Sequence, residues 1–210
     1  MNNMNTFAIA PNQFLSKDIQ GFYYTNFYGS GHPNNPNFLY KCKNDVHHNW
    51  SDAQLNYAVL QLMSVLKNDL PGILKSIHLN SLTVCVVPRS KATSFYTEKQ
   101  QLFKSAVQQV VKELTGFEDG TNYMIRHTNT RTTHLRKPIV GFQNDGSLPY
   151  PGITFDTCEI VEDVKDKNIL LIDDIYTKTV NIDEDAIEAL LKKGAKAVYF
   201  YAIGKTVSNF

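Results

Sequence analysis

NILLIDDIYTKTVN, residues 168–181, joins the most apolar strand-like run of the chain to two acids and a hydroxyl-rich turn. Ile169, Leu170, Leu171 and Ile172 suit a buried strand. Asp173 and Asp174 stand where that run stops, and in open α/β sheets ligands sit beyond the carboxyl ends of the strands. Neighbouring side chains on a strand point to opposite sides, but where the chain begins to turn both carboxylates can reach one ligand edge. Two carboxylates can accept hydrogen bonds from vicinal sugar hydroxyls or support a hydrated magnesium ion. Thr177, Lys178, Thr179 and Asn181 then form a polar turn entering a helix, where backbone N–H groups suit a phosphate. On pattern alone, a core strand with a solvated acidic end explains the segment equally well.

Outward from this segment, strands and helices alternate. Downstream, Ala186, Ile187, Leu190 and Leu191 mark a helix that stops at Gly194, and AVYFYAI forms a last strand. Upstream, Ser51 to Gln54 reads as a capping box before a helix carrying Leu55, Val59, Leu62, Met63 and Leu66, expected to stop at Asp69-Leu70-Pro71-Gly72. SLTVCVVP is a strand that opens into Arg89-Ser90-Lys91. Leu102, Phe103, Ala106, Val110 and Leu114 mark a helix closed by Gly116, with Tyr123-Met124-Ile125 expected as a second strand and CEIVEDV as a further one. This order predicts an α/β fold with a doubly wound, mainly parallel sheet and flanking helices. Residues 1–50, rich in Asn, Tyr, Phe, Gly and Pro, show no sustained period and are expected to form a small irregular lobe or hood on an α/β domain of residues 51–210.

A chain of 210 residues accommodates one such domain with a small addition. Its 42% hydrophobic and 20% charged content is ordinary for a globular protein, and a net charge of +1 gives no global reason to expect nucleic acid or a membrane as partner. Any anion binding must come from local clusters. Cys42, Cys85 and Cys158 show no metal-ligand spacing and read as reduced thiols. His47 and His48 lack further spaced ligands. The first residues contain neither a basic leader nor a long apolar segment, so a cytoplasmic location is the expectation.

The segment ILLIDDIYTKTVN resembles the ribose-phosphate motif of type I phosphoribosyltransferases, and IEALLKKGAKAVYFYAI resembles the helix and strand that follow it in that family. The similarity is clearest over residues 165–206, extends more weakly back to Leu82, and is most like the ComF-type and amidophosphoribosyltransferase-like members. The resemblance implies that Asp173 and Asp174 hold ribose hydroxyls while Thr177, Lys178, Thr179, Val180 and Asn181 hold the 5'-phosphate of 5-phosphoribosyl-1-pyrophosphate. Family members usually carry Gly in place of Thr179 and Thr or Ser in place of Asn181. Loss of a Gly restricts positive φ and close backbone approach, so a weakened phosphate grip is expected.

By the same resemblance Arg89, Ser90 and Lys91 would cradle pyrophosphate, a task for cationic donors. The basic stretch from Arg126 to Lys137 resembles the family's mobile loop, with Arg131, Thr132, Thr133, His134, Arg136 and Lys137 facing the leaving group and His134 a candidate general acid. The reaction implied is a magnesium-dependent transfer of phosphoribose to or from a base or amine. Phe22, Tyr23, Tyr24, Phe27 and Tyr28 are either a hood stacking on that acceptor, the small core of the first lobe, or a contact in a homodimer. Thr177 stands where hypoxanthine-guanine enzymes typically place an Asp, and no amino-terminal Cys nucleophile accompanies the motif. A noncatalytic protein of the same fold that senses the nucleotide or the activated sugar is the main alternative. A phosphoryl-transfer domain fits less well, because Ile175 follows Asp174 where a phosphatase of the haloacid type wants an alternating acid.

Overall fold

A computed structural model describes residues 4–29, 31–44, 49–133 and 144–207. In chain order its elements are β1 (Asn5–Ile9), β2 (Ile19–Phe27), α1 (Asn37–Lys43), α2 (Asp52–Ser76), β3 (Leu82–Val86), α3 (Leu102–Glu113), β4 (Phe117–Asp119), β5 (Met124–Arg126), β6 (Cys158–Ile160), β7 (Asn168–Tyr176), α4 (Ile182–Lys192) and β8 (Ala197–Thr206), with three short 3-10 turns. Six strands form one sheet in the order β1-β2-β8-β7-β3-β4. All neighbours run parallel except the edge strand β1, which is antiparallel to β2.

The central strands are the ones whose sequences are apolar throughout. Every residue of β3 is buried, and Ile169 through Ile172 of β7 have no solvent exposure. Their side chains feed two separate cores. Leu82, Val84, Val86, Leu170 and Ile172 pack with α1, α2 and α3 on one face, whereas Cys85, Val87, Ile169 and Leu171 pack with α4 and the β5–β6 ribbon on the other. A parallel sheet covered on both faces requires this two-sided apolarity. The mainly parallel α/β architecture expected from the element order is present.

Several local expectations change. The first fifty residues contain two regular strands, and β2 is an interior strand, paired with β1 on one side and with β8 on the other. Its aromatic sequence, IQGFYYTNF, is compatible with a strand because Phe and Tyr fit a pleated surface. Helix α2 does not stop at Pro71 but runs to Ser76. Burial of Leu70 and Ile73 on the core face, each worth about 1.5–3 kcal/mol, offsets a proline cost of about 3 kcal/mol. The strand paired with β3 is Phe117–Asp119, while Met124–Arg126 leaves the sheet and pairs antiparallel with Cys158–Ile160.

Two expectations about helix ends hold. Ser51 and Gln54 form the reciprocal capping box, and Gly194 follows α4 with a φ of 100° that glycine adopts without strain. The three cysteines are free and buried. Among the described residues, no helix is long and apolar enough to cross a membrane.

Candidate functional site

The sheet order creates a crevice at one defined place. From β3 the chain crosses through α3 to β4 on one side, and from β7 it crosses through α4 to β8 on the other. The connections therefore diverge between β3 and β7, the switch point where open α/β sheets bind ligands. Pairing of β3 with β7 ends at Val86 and Ile172, followed by one bond from Val87 N to Ile172 O at 3.0 Å. Pairing of β7 with β8 continues to Tyr176 and Lys205. Asp173 and Asp174 lie inside the strand, not at its end, but beyond the point where β3 has parted from it.

The two acids face different elements. An Asp174 Oδ2 oxygen pairs with Lys43 Nζ of α1 at 2.9 Å, and Asp174 Oδ1 accepts from Ile175 N at 2.8 Å. Asp173 Oδ1 accepts from Asp174 N at 2.8 Å, and the carboxyl of Asp183, at the start of α4, acts on it electrostatically. Burial, reinforced by the charge of Asp174, pushes Asp173 up to about 7. Burial and then the charge of Asp173 hold Asp183 well above the usual carboxylate range. Two neighbouring carboxyl groups do not both ionise cheaply, so their titrations are linked.

The first turn of α4 extends the acidic region. Asp183, Glu184 and Asp185 are all buried, the last two accepting from Tyr176 Oη at 2.9 Å and Gly152 N at 2.7 Å. Burial raises the pKa of both, that of Asp185 to about 6. The positive end of the helix dipole favours acids here. Asp183 Oδ1 and Glu184 Oε2 are nevertheless buried without a hydrogen-bond partner. A phosphate brought to the same turn would meet this negative charge.

The turn itself is well ordered by local bonds. Val180 N donates to Thr177 O at 2.9 Å, the Thr177 and Thr206 hydroxyls are 2.7 Å apart, and Asn12 Nδ2 donates to Asn181 Oδ1 at 3.1 Å. The left-handed residue is Asn181, at φ 58°, and Thr179 lies outside that region. A side chain at Thr179 therefore imposes no backbone strain, and Asn is among the residues that enter the left-handed region most readily. Lys178 and Thr179 are exposed, while Thr177, Val180 and Asn181 are half-buried.

The loop after β3 reaches the crevice with its cations engaged by the protein. Arg89 Nη1 donates to the carbonyls of Lys43 at 2.7 Å and Gln100 at 2.5 Å, with its guanidinium 4.1 Å from the Tyr96 ring centre. The buried Lys91 Nζ donates to Asp145 O at 2.6 Å and pairs with Asp145 Oδ1 at 3.1 Å. The Ser90 and Thr132 hydroxyls are 2.6 Å apart, and Thr130 N donates to Ser90 O at 2.7 Å. Thr132 N bonds Asn144 Oδ1 at 2.6 Å, and Arg131 N bonds Ser147 O at 3.0 Å. The β3 loop thus grips both chain segments that flank residues 134–143. Arg131 is exposed and Thr133 half-buried; His134, Arg136 and Lys137 lie outside the described residues, as do His47 and His48.

Of the aromatic cluster, Phe22 and Phe27 belong to the buried core, and Tyr23 lies against Phe7 with Lys205 over its ring. Tyr24 and Tyr28 are exposed. Tyr28 follows β2 at the sheet edge where Val207 N bonds Phe27 O, the carboxyl end shared with the crevice, and its ring is 4.7 Å from that of His32.

Sequence reasoning missed Lys43, Asp183, Glu184 and Asp185, and it placed Arg126 at the start of a mobile loop, whereas Arg126 ends β5 and is buried, its Nη1 and Nε donating to Gly152 O at 2.8 Å and Arg89 O at 2.6 Å. The run Asp183-Glu184-Asp185 was visible as acidic residues in a first helical turn; nothing in sequence marked Lys43. No family model matches this chain, and no curated protein matches it either.

Among the described residues, no group of three or more His, Cys, Asp or Glu is arranged to hold a metal ion. Were magnesium bound here, Asp173 and Asp174 would be the carboxylates to hold it, once Asp174 is released from Lys43, with water and ligand oxygens in its other positions.

Proposed function

We propose that the chain is a phosphoribosyltransferase-like protein that binds 5-phosphoribosyl-1-pyrophosphate with magnesium and transfers phosphoribose to or from a base or amine. The observation that carries this reading is the position of Asp173 and Asp174: adjacent acids at the switch point between β3 and β7, followed by a hydroxyl-bearing turn and a helix start. Such acids accept hydrogen bonds from a vicinal diol, and the N–H groups of the turn suit a phosphate. In the transfer, an acceptor lone pair forms a bond to the anomeric carbon while the bond to pyrophosphate breaks and pyrophosphate leaves with its electrons. Bound magnesium supplies charge neutralisation for that leaving group. Exclusion of water would protect an oxocarbenium-like state from hydrolysis.

Calorimetry tests the binding step. Wild-type protein with magnesium and the activated sugar is expected to give a binding heat that Asp173→Asn with Asp174→Asn abolishes; no heat from the wild type sinks the proposal. A panel of bases and amines followed by pyrophosphate release then tests transfer.

A second reading, a noncatalytic sensor of the same ligand, is favoured by the engagement of the acids and the β3-loop cations with protein groups. Binding without pyrophosphate release from any acceptor is its expected signature.

A further inference from the structure

Lys43 closes α1, a helix fixed to the rest of the molecule by Phe38, Leu39 and Cys42 in the core under α2. Two further bonds pin the end of that helix: Arg89 Nη1 donates to Lys43 O at 2.7 Å, and Asn44 Nδ2 donates to Lys99 O at 2.9 Å. The side chain then reaches to Asp174 at 2.9 Å, with 31% of the Lys43 side chain and 16% of the Asp174 side chain exposed. The positive charge of Lys43 also acts on Asp173, lowering the pKa that burial raises. A cation donated from the first fifty residues thus pairs with one acid of the crevice, Asp174, and acts at longer range on the other.

We infer that Lys43 is a ligand-binding residue of this crevice: it neutralises Asp174 in the empty site and moves to an anionic oxygen of the ligand when sugar hydroxyls occupy Asp174. This inference rests on the reading of the site as one for an activated sugar phosphate.

The exchange follows from hydrogen-bond inventory. Asp174 is an acceptor, and the donors that a diol brings compete directly with the ammonium group. Displaced from Asp174, an ammonium with three donors on a flexible stem needs a new acceptor, and a phosphate or pyrophosphate oxygen is the strongest that such a ligand carries. Lys43 is partly exposed, 31% of its side chain facing solvent, so the side chain is not locked in the core. Because the backbone around it is held by Arg89 and Asn44, the movement required is of the side chain alone. The first fifty residues consequently complete the site as well as the sheet.

The test compares two ligands that share the sugar and the 5'-phosphate, 5-phosphoribosyl-1-pyrophosphate and ribose 5-phosphate, each titrated with magnesium into wild type, Lys43→Met and Lys43→Arg. Thermal melts check that all three are folded. The expected result is that Lys43→Met loses about tenfold or more affinity for the pyrophosphorylated sugar while ribose 5-phosphate binding changes by less than about threefold, and that Lys43→Arg restores the preference. A merely structural ion pair would move both ligands together. If wild type binds both and Lys43→Met weakens both equally, or neither, the inference is overturned while the site reading stands. If wild type binds neither, the site reading itself fails and carries this inference down with it. Should Lys43→Met not fold, Lys43→Gln, which keeps a neutral amide donor for Asp174 but no charge, carries the same comparison.

Discussion

Asp173 and Asp183 set the pH behaviour of the crevice. An ordinary Asp titrates near 3.9, whereas burial and the charge of Asp174 push Asp173 up to about 7. Between those values the folded chain keeps a proton that the unfolded chain has released. Stability from this pair is therefore fully present below the unfolded pKa and is lost as pH rises from about 4 through about 7. Asp183→Asn keeps a polar side chain beside Asp173 while removing one titration. Urea unfolding at about pH 4.5 and about pH 7.5 should show a smaller loss of stability in this variant than in wild type; equal losses would refute the linked pair. At the same scale, the backbone removes one of the two costs expected of Thr179, the strain of a positive φ, and leaves the closeness of a phosphate's approach to the turn as the other. The φ of the position needs no glycine, because the turn places its positive φ at Asn181.

Helix α2 illustrates how an element outlasts its local signals. Proline removes a hydrogen bond to the carbonyl four residues earlier, and Gly72 follows it, so the sequence reads as a stop. The helix continues because Leu70 and Ile73 are fully buried while Pro71 itself is exposed. Pro71→Ala should then restore the bond to the Lys67 carbonyl with no loss of core packing, raising stability by about 1–3 kcal/mol as read from denaturant midpoints. A destabilised variant would show that the proline shapes the helix in a way its core needs. Strand β7 shows the complementary effect: it runs beyond its aliphatic stretch to Tyr176 because β8 continues to pair with it.

At the scale of the molecule, the first fifty residues contribute to both cores. Phe22, Phe38, Leu39 and Cys42 pack into the cluster under α2, and Ile9, Leu15 and Ile19 into the one beside α4. Removing residues 1–50 would expose the β8 edge and strip apolar partners from both faces of the sheet. Such a truncated chain is expected to lack the cooperative thermal transition of the full chain, checked by circular dichroism. A cooperative melt from residues 51–210 alone would show that they form an independent domain.

Legibility in the sequence divided along the range of the interactions. The period of Leu55 through Leu66, the capping box at Ser51, the apolar β3 and β7 segments and the stop at Gly194 were readable because each signal is local to its element. From these the alternation of strands and helices, and hence a mainly parallel sheet, followed. The place of β2 beside β8 was hidden, since an aromatic strand interrupted by Gly and Asn carries no sign of its partner. The same holds at the site: Asp173, Asp174 and the turn after them were marked by their positions along one strand. The Lys43 contact with Asp174 and the capture of Lys91 by Asp145 join segments distant in sequence, and the approach of Asp183 to Asp173 depends on how α4 packs back onto β7. Sequence determined which residues could carry charge to the strand ends; the packing of α1, α4 and the loops around them decided which charges meet, because burial and distance exist only in the folded chain.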